Sequence, residues 1–517
     1  MYRVKADFSL HIRPRADDTE ISLQYKLGLG NTIYQGANRY ALNDFFMSQT
    51  KIEIKGRNFF ARAYRSAEDA GNSYDMRFAG WNVQRAAKSD TNWFTDYATS
   101  FQLSSAVLGL DGNEAANYAR TFADTNVSPG LNLVPNSNVT NGVLDPRAAR
   151  FEPGSPEFTN ALNTVKSDPD FTKGAKFTDQ SKIYHSDVNY NFRDLIKFAE
   201  IQVGGSARQY EMNSNGSIFT DYDGPIRYNE YGVYTQASKL FMDDRLKVVA
   251  SIRYDKSQNF DGNVSPRVSF VYSAGEQKNH NFRASYQTGF RNPTTQDQYI
   301  GLDLGPFALI GSAPENLVRY SEIRNVSSSG QAAGAAATVT MDGTNAYNNS
   351  YTLTSVQAFG AALAANPSDV AGAAALLQSA NAKLVRPEEV KAYELGYRTV
   401  INNDLSVDLN GYYNQYNHFL NTTRAAGVYY GDVNSAINLS DPLSPVYALV
   451  RSDRRIYQVY TNTSADVSSL GFGVGLSKKV YKDFELGANY NYSQLDFDQS
   501  QDPGFVTGFN TPKHRVK

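Results

Sequence analysis

Apolar and polar residues alternate strictly from Arg3 to Arg13. Val4, Ala6, Phe8, Leu10 and Ile12 make one face, and Arg3, Lys5, Asp7, Ser9, His11 and Arg13 make the other. The next run repeats this, with Ile21, Leu23, Tyr25, Leu27 and Leu29 set against Glu20, Ser22, Gln24 and Lys26. A period of two over this length predicts a strand with one apolar and one hydrated face. The alternation returns at 199–208, 246–255, 282–291, 405–414 and 484–493. In the third of these, Phe282, Ala284, Tyr286 and Phe290 oppose Arg283, Ser285, Gln287 and Arg291.

Few-residue polar segments at 191–194, 242–245, 275–279, 402–404 and 482–483 separate successive runs. Short turns between alternating runs predict antiparallel hairpins. The opposite ends open into long segments, roughly 66–182 and 301–386, that are polar and rich in Gly, Asn, Asp and Ala. Between Phe359 and Leu384 the apolar spacing is helical and Pro367 interrupts it. That predicts two short helices, serving either as a lid or as an ordered loop packed on its neighbours. Short turns on one rim and long loops on the other are the asymmetry of an outer-membrane barrel.

Two physical points favour a barrel over a soluble sandwich. The runs approach the roughly 9–11 residues that a tilted membrane strand needs, against about 5–6 for an average soluble strand. Their polar face also carries Arg, Lys, Glu and Asp in mid-strand, which a sandwich core would not tolerate unpaired. On a barrel that face lines the lumen, the apolar face meets lipid, and the sheet must close because lipid offers no hydrogen bonds. The expected fold is all-β, a transmembrane antiparallel β-barrel with long, partly helical extracellular loops. Residues 1–517 are read as one partial barrel of about fourteen strands, with the start of another near Lys513, because such barrels have even strand numbers. Val407, Leu409 and Leu486 are expected to face lipid, and Asp408, Asn410 and Glu485 the lumen.

Composition narrows this further. Aromatics are 13% of the chain, with 35 Tyr and 29 Phe against two Trp. Tyr suits a boundary with one apolar and one wet side, although soluble all-β proteins are Tyr-rich too. The formal net charge of −2 gives no basic stripe, so no nucleic-acid partner is expected. Without cysteine there can be no disulfide framework, thiolate catalysis or cysteine-ligated metal. No run of 18 apolar residues supplies a transmembrane helix. No signal peptide precedes the first strand, so the chain is expected to start partway through a longer protein.

The five histidines, His11, His185, His280, His418 and His514, are far apart in sequence, which excludes HExxH-type zinc sites. Nucleophile-elbow and Walker-type phosphate motifs are missing from the sequence, and no cofactor is predicted. Gly471, Gly473 and Gly475 alternate with Phe472, Val474 and Leu476, so they read as small lumen-facing residues that leave room for a plug. Asp111 and Glu114 lack Ca²⁺-loop spacing and read as solvated loop charges.

Several stretches resemble the barrel portion of TonB-dependent outer-membrane receptors. They are RASYQTGFRNPT at 283–294, PEEVKAYELGYR at 387–398 followed by LSVDLNGYYNQY, and FNTPKHRV at 509–516. Near the start, GANRY and KIEIKGRNFFARAYRSAEDAGNSYD are similar to the same family. The resemblance implies active import of a scarce solute, such as an iron chelate, vitamin, oligosaccharide or peptide, across a Gram-negative outer membrane. It implies partners as well: outer-membrane lipid, the solute, TonB acting through a plug region, and in some members a capping surface lipoprotein. The family's plug, its TonB-engaging segment and its closing C-terminal strand are not visible, so an internal fragment is expected. No catalytic residue is predicted. The candidate ligand contacts are Trp81, Trp93 and Tyr97 in the first long loop, with Arg283, Gln287 and Arg291 on the polar strand face. A passive porin, with a charged constriction and no plug, and a barrel hydrolase, with a clustered Ser/His/Asp constellation, are the alternatives.

Overall fold

A computed structural model describes residues 2–36, 38–125, 139–140, 143–144, 149–402, 404–481, 484–502, 505 and 512–517. Every alternating run named above is a strand: Arg3–Ile12, Glu20–Gln35, Glu200–Met212, Leu246–Ser257, His280–Arg291, Leu405–Asn417 and Phe484–Phe497. Between them lie Arg39–Lys55, Phe59–Asp69, Lys182–Asn191, Ile226–Phe241, Asn263–Ala274, Glu388–Ile401 and Val467–Tyr481. These strands follow one another in chain order along the path of a 16-stranded sheet, which ends at the short His514–Val516 strand. Tyr74–Asp75 pairs off that path. From Lys182–Asn191 onward each neighbouring pair is antiparallel. Among the described residues the path is open, with no pairing between its first and last strands.

The expected tight turns at 242–245, 275–279 and 402–404 fall between strands. Met242, Asp243 and Asp244 take left-handed backbone, as do Gly275, Lys278 and Asn402, and such residues let a chain reverse in a few positions. Residues 482–483 and Asn403 lie outside the described residues. The turn expected at 191–194 is longer, since the strand ends at Asn191 and the next begins at Glu200. The Phe192 carbonyl accepts from the amides of Leu195 and Ile196, and Asp194 accepts from Asn58 at 2.6 Å, so the segment folds on itself.

The chain divides into two compact units. One comprises Met1–Asp7, Lys26–Ser48 and Ala67–Gln180, and the other comprises Phe8–Tyr25, Gln49–Ser66 and Ser181–Lys517. In the first, the long segment expected at 66–182 carries helices Met76–Ala87, Asp90–Leu108, Gly112–Thr125 and Pro156–Val165. Asp75 caps the first, accepting from the Arg77 and Phe78 amides and from Asn38 Nδ2 at 2.6 Å. That helix packs Phe78 and Val83 against Val165 and Ala175. Just past its end, Lys88 is buried on Asp96 at 2.5 Å and also donates to the Ala123 carbonyl. A buried lysine without such a partner would be strongly unfavourable.

In the second unit, the segment expected at 301–386 runs from the end of the strand at Arg291 to Glu388. A further insertion, at 418–466 between Asn417 and Val467, joins it. Together they build a small mixed sheet, ordered Gly301–Asp303, Ala308–Ile310, Arg454–Asn462, Leu420–Val428 and Ser350–Thr352. The two helices expected around Pro367 are Leu353–Ala365 and Val370–Ala374. Their Phe359, Ala373 and Ala374 pack on Ala426, Val428, Val446 and Leu449. A second core gathers Ile310, Tyr320, Met341, Tyr347, Tyr457 and Val459. Beside it Arg455 reaches Asp303 at 2.6 Å, and Tyr457 donates to Glu322 at 2.9 Å.

The two strand faces differ as the alternation requires. On the apolar face, Val233 is 59% exposed, Leu395 69% and Leu486 67%. An apolar surface continued over so many strands is not what a water-facing protein presents. On the polar face the charges are paired, across strands in Arg62–Asp187, Arg208–Glu230, Arg283–Asp408 and Arg291–Glu388, and along one strand in Arg253–Asp255. No helix among the described residues is long and apolar enough to cross a membrane.

Candidate functional site

Period-two geometry sets Arg208 and Tyr210 on the same face as Tyr228 and Glu230 of the next strand, then Arg253 and Asp255 of the strand after. The register places Glu230 opposite Arg208, Gly232 opposite Ser206, and Asp255 opposite Gly232. These side chains and the strand exit at Asn292 and Thr294 line a cavity of about 640 Å³. Arg208 donates to the Tyr210 hydroxyl at 3.1 Å and to Glu230 at 3.4 Å. Asn292 donates to the other Glu230 oxygen at 3.0 Å. Arg253 Nε donates to both Asp255 oxygens at 2.7–2.8 Å, and its Nη2 donates to Ser206 at 3.1 Å. This last pair lies flat over Gly232, where a Cβ would fall within 2.2 Å of Asp255 Oδ1. His185 sits at the edge of the cavity, with Arg208 Nε 3.4 Å from its Nδ1 and the Tyr64 ring tilted over it at 4.9 Å. The wall therefore offers donors and acceptors side by side, a surface for binding and orienting a solute. Among the described residues, no group of three or more His, Asp or Glu is placed to hold a metal ion.

The residues singled out from sequence are brought together only in part. Trp93 and Tyr97 stack at 5.5 Å along one helix, and the Trp93 indole N–H donates to Asp124 at 2.9 Å. Trp81 belongs to another cluster, edge-on to Phe78, with Arg77 and Arg85 each 5.7 Å from its ring. Arg283 donates to Asp408 at 2.8 Å and borders a smaller cavity of about 420 Å³ with Arg267, Glu394 and Asn410. Arg291 is held by Glu388 at 2.8 Å. Gln287 lies between them, opposite Arg267 on one side and Ala392 on the other. None of the six lines the larger cavity, although Phe290 and Asn292, which flank Arg291, do.

Arg208, Arg253 and Asp255 were legible as polar-face residues, but not as neighbours of Glu230 and Asn292, because cross-strand register is not written in one run. The glycines expected to leave lumen space are covered by neighbouring strands. The Tyr412 ring lies over Gly471, Asn410 and Asn491 over Gly473, and Asn489 over Gly475.

Among solved structures, the chain is similar to the siderophore receptor PirA from Pseudomonas aeruginosa, at 9% identity over 95% of this chain and 57% of that one, with a TM-score of 0.45. It is also similar to the FrpB iron transporter from Neisseria meningitidis (F3-3 variant), at 10% identity over 98% of this chain and 54% of that one, TM-score 0.45. A third is the copper transporter OprC, at 10% identity over 95% and 53%, TM-score 0.45. The chain thus spans little more than half the length of these structures. No curated protein matches it in sequence. The family model described as TonB dependent receptor-like, beta-barrel matches residues 16–517, and with that match, nearly end to end over strands and loops alike, the chain belongs to the TonB-dependent receptor β-barrel family.

Proposed function

We propose that this chain forms the wall and surface loops of an outer-membrane receptor that imports a scarce solute with energy delivered through TonB. The observation that carries the reading is the family match across 16–517. Two features support it. The exposed apolar face suits lipid, and the polar face holds a cavity of ligand size whose binding groups are already oriented. In this reading lipid surrounds the strands, TonB acts through a plug region, and the long loops admit the solute. Trp81, Trp93 and Tyr97 on the loops, and Arg283, Gln287 and Arg291 on the wall, are proposed contacts along its route.

The test is uptake by Gram-negative cells carrying the full-length gene. A ferric chelate, a vitamin and an oligosaccharide, each radiolabelled, are supplied at limiting concentration. Accumulation of one of them should stop when TonB is deleted or the proton gradient is collapsed. Accumulation that continues without TonB would instead identify a passive porin.

A further inference from the structure

We propose that the cavity bounded by Arg208, Glu230, Arg253, Asp255 and Asn292 is a wall subsite for a neutral, hydroxyl-rich solute, a sugar ring or polyol. The inference rests on the import reading and names the chemistry of the group carried past this wall. Charge comes first. Arg208 and Asn292 satisfy Glu230, and Arg253 is bidentate on Asp255. The remaining cation, Lys256, donates to the Phe260 carbonyl. A cation entering here would have to displace a partner from an existing pair, and an anion would have to do so at either guanidinium, which leaves it the carbonyl-bound Lys256 ammonium alone.

The same pairs retain hydrogen-bonding capacity. A carboxylate has about four lone-pair sites and a guanidinium five N–H donors, so each pair presents an acceptor beside a donor. A hydroxyl group uses both at once, donating to the carboxylate and accepting from the guanidinium. The Tyr228 side chain also lines the cavity and is 1% exposed, with Ser257 and Gln298 beside its hydroxyl. Tyr210 supplies an aromatic surface for the C–H face of a ring. The cavity volume, about 640 Å³, accommodates one or two sugar units.

The floor offers a clean handle. Gly289 lines the cavity, and a Cβ built there meets only Val390 Cγ1, at an ordinary 3.4 Å. A Cβ at this position enters the cavity without meeting backbone.

The experiment is equilibrium dialysis of the full-length receptor in detergent with radiolabelled maltose, myo-inositol, citrate and inorganic phosphate. Maltose or inositol should be retained, while citrate and phosphate should not. Gly289→Val should weaken retention by about tenfold or more, equivalent to about 1.4 kcal/mol, and Phe282→Leu on the apolar face should leave it unchanged. Heat-modifiable gel mobility reports folding of each variant. Should Gly289→Val not fold, Asn292→Ala, beyond the strand end, takes its place with the same expected direction. The proposal is overturned if neither hydroxylated probe is retained, if an anion is retained better, or if a folded cavity variant binds like the parent. Lack of probe binding alongside TonB-dependent uptake rejects the subsite and keeps the import reading. Probe binding with TonB-independent uptake does the reverse.

Discussion

Tyr412 lies across Gly471, whose Cβ would stand 2.4 Å from the ring, and its hydroxyl meets Ser493 Oγ at 2.9 Å on the strand beyond. Tyr234 does the same over Gly204 to reach Asn189 at 2.8 Å. Arg253 crosses Gly232 to Ser206, and Arg283 crosses Gly396 to Asp408 at 2.8 Å. Each glycine is the gap through which a long side chain ties its strand to the next but one. Gly471→Val should therefore expel the Tyr412 ring and cost about 1–3 kcal/mol, the usual range for overpacking. Gly411→Ala, with nothing nearer than the Gly471 carbonyl at 3.8 Å, should stay within about 0.5 kcal/mol. Urea unfolding of the refolded protein in detergent measures both, and equal losses would refute the tie.

Along a single strand, the apolar face should resist charge where the polar face accepts it. Leu486→Arg is expected to cost roughly 2–4 kcal/mol in a bilayer, and Asn489→Arg far less. Folding yields in lipid vesicles that fell equally for both would contradict the face assignment. Among the loop elements, burial pushes the hydroxyls of Tyr351 and Tyr460 up to about 12. Their folded values exceed the model-peptide value near 10. The stability they contribute is thus fully present below pH 10 and is lost as pH rises through 12. Near-ultraviolet circular dichroism and trypsin sensitivity should show the loop sheet loosening in that alkaline window, with no change between pH 6 and 9.

How much of this was readable follows from the range of each signal. Alternation is local, so strands and faces were legible from Val4 to Tyr492. Register is not. The pairing of Glu230 with Arg208 depends on the 213–225 connection, where buried Asp221 accepts from Ser214 Oγ and from the amides of Asn215 and Gly216. One loop core joins residues at 351–374 to others at 426–449, mostly alanine and valine with no period to mark them, and the other joins 308–347 to 457–459. Trp93, Tyr97 and Trp81 were legible only as residues of the first long loop; the first two fall four apart on one helix and Trp81 on another.

For the molecule as a whole, antiparallel order puts the short connections at 242–245, 275–279 and 402–404 at one edge of the sheet. The long ones at 213–225, 292–387 and 418–466 lie at the other edge. The absence of native cysteine allows single-cysteine variants to be made in an otherwise silent chain. A membrane-impermeant maleimide applied to intact cells should label Ser368→Cys in the long loop and leave Glu276→Cys in the short turn unlabelled until the outer membrane is opened. The reverse pattern would invert the topology. The paired charges of the polar face carry a consequence for kinetics. Each of the five guanidinium groups has a carboxylate within hydrogen-bonding or ion-pair distance. Their fields therefore cancel beyond about 8 Å, the screening length at physiological salt. A solute diffusing toward these residues is neither drawn in nor repelled by them. These pairs should then add little ionic-strength dependence of their own to the rate of capture.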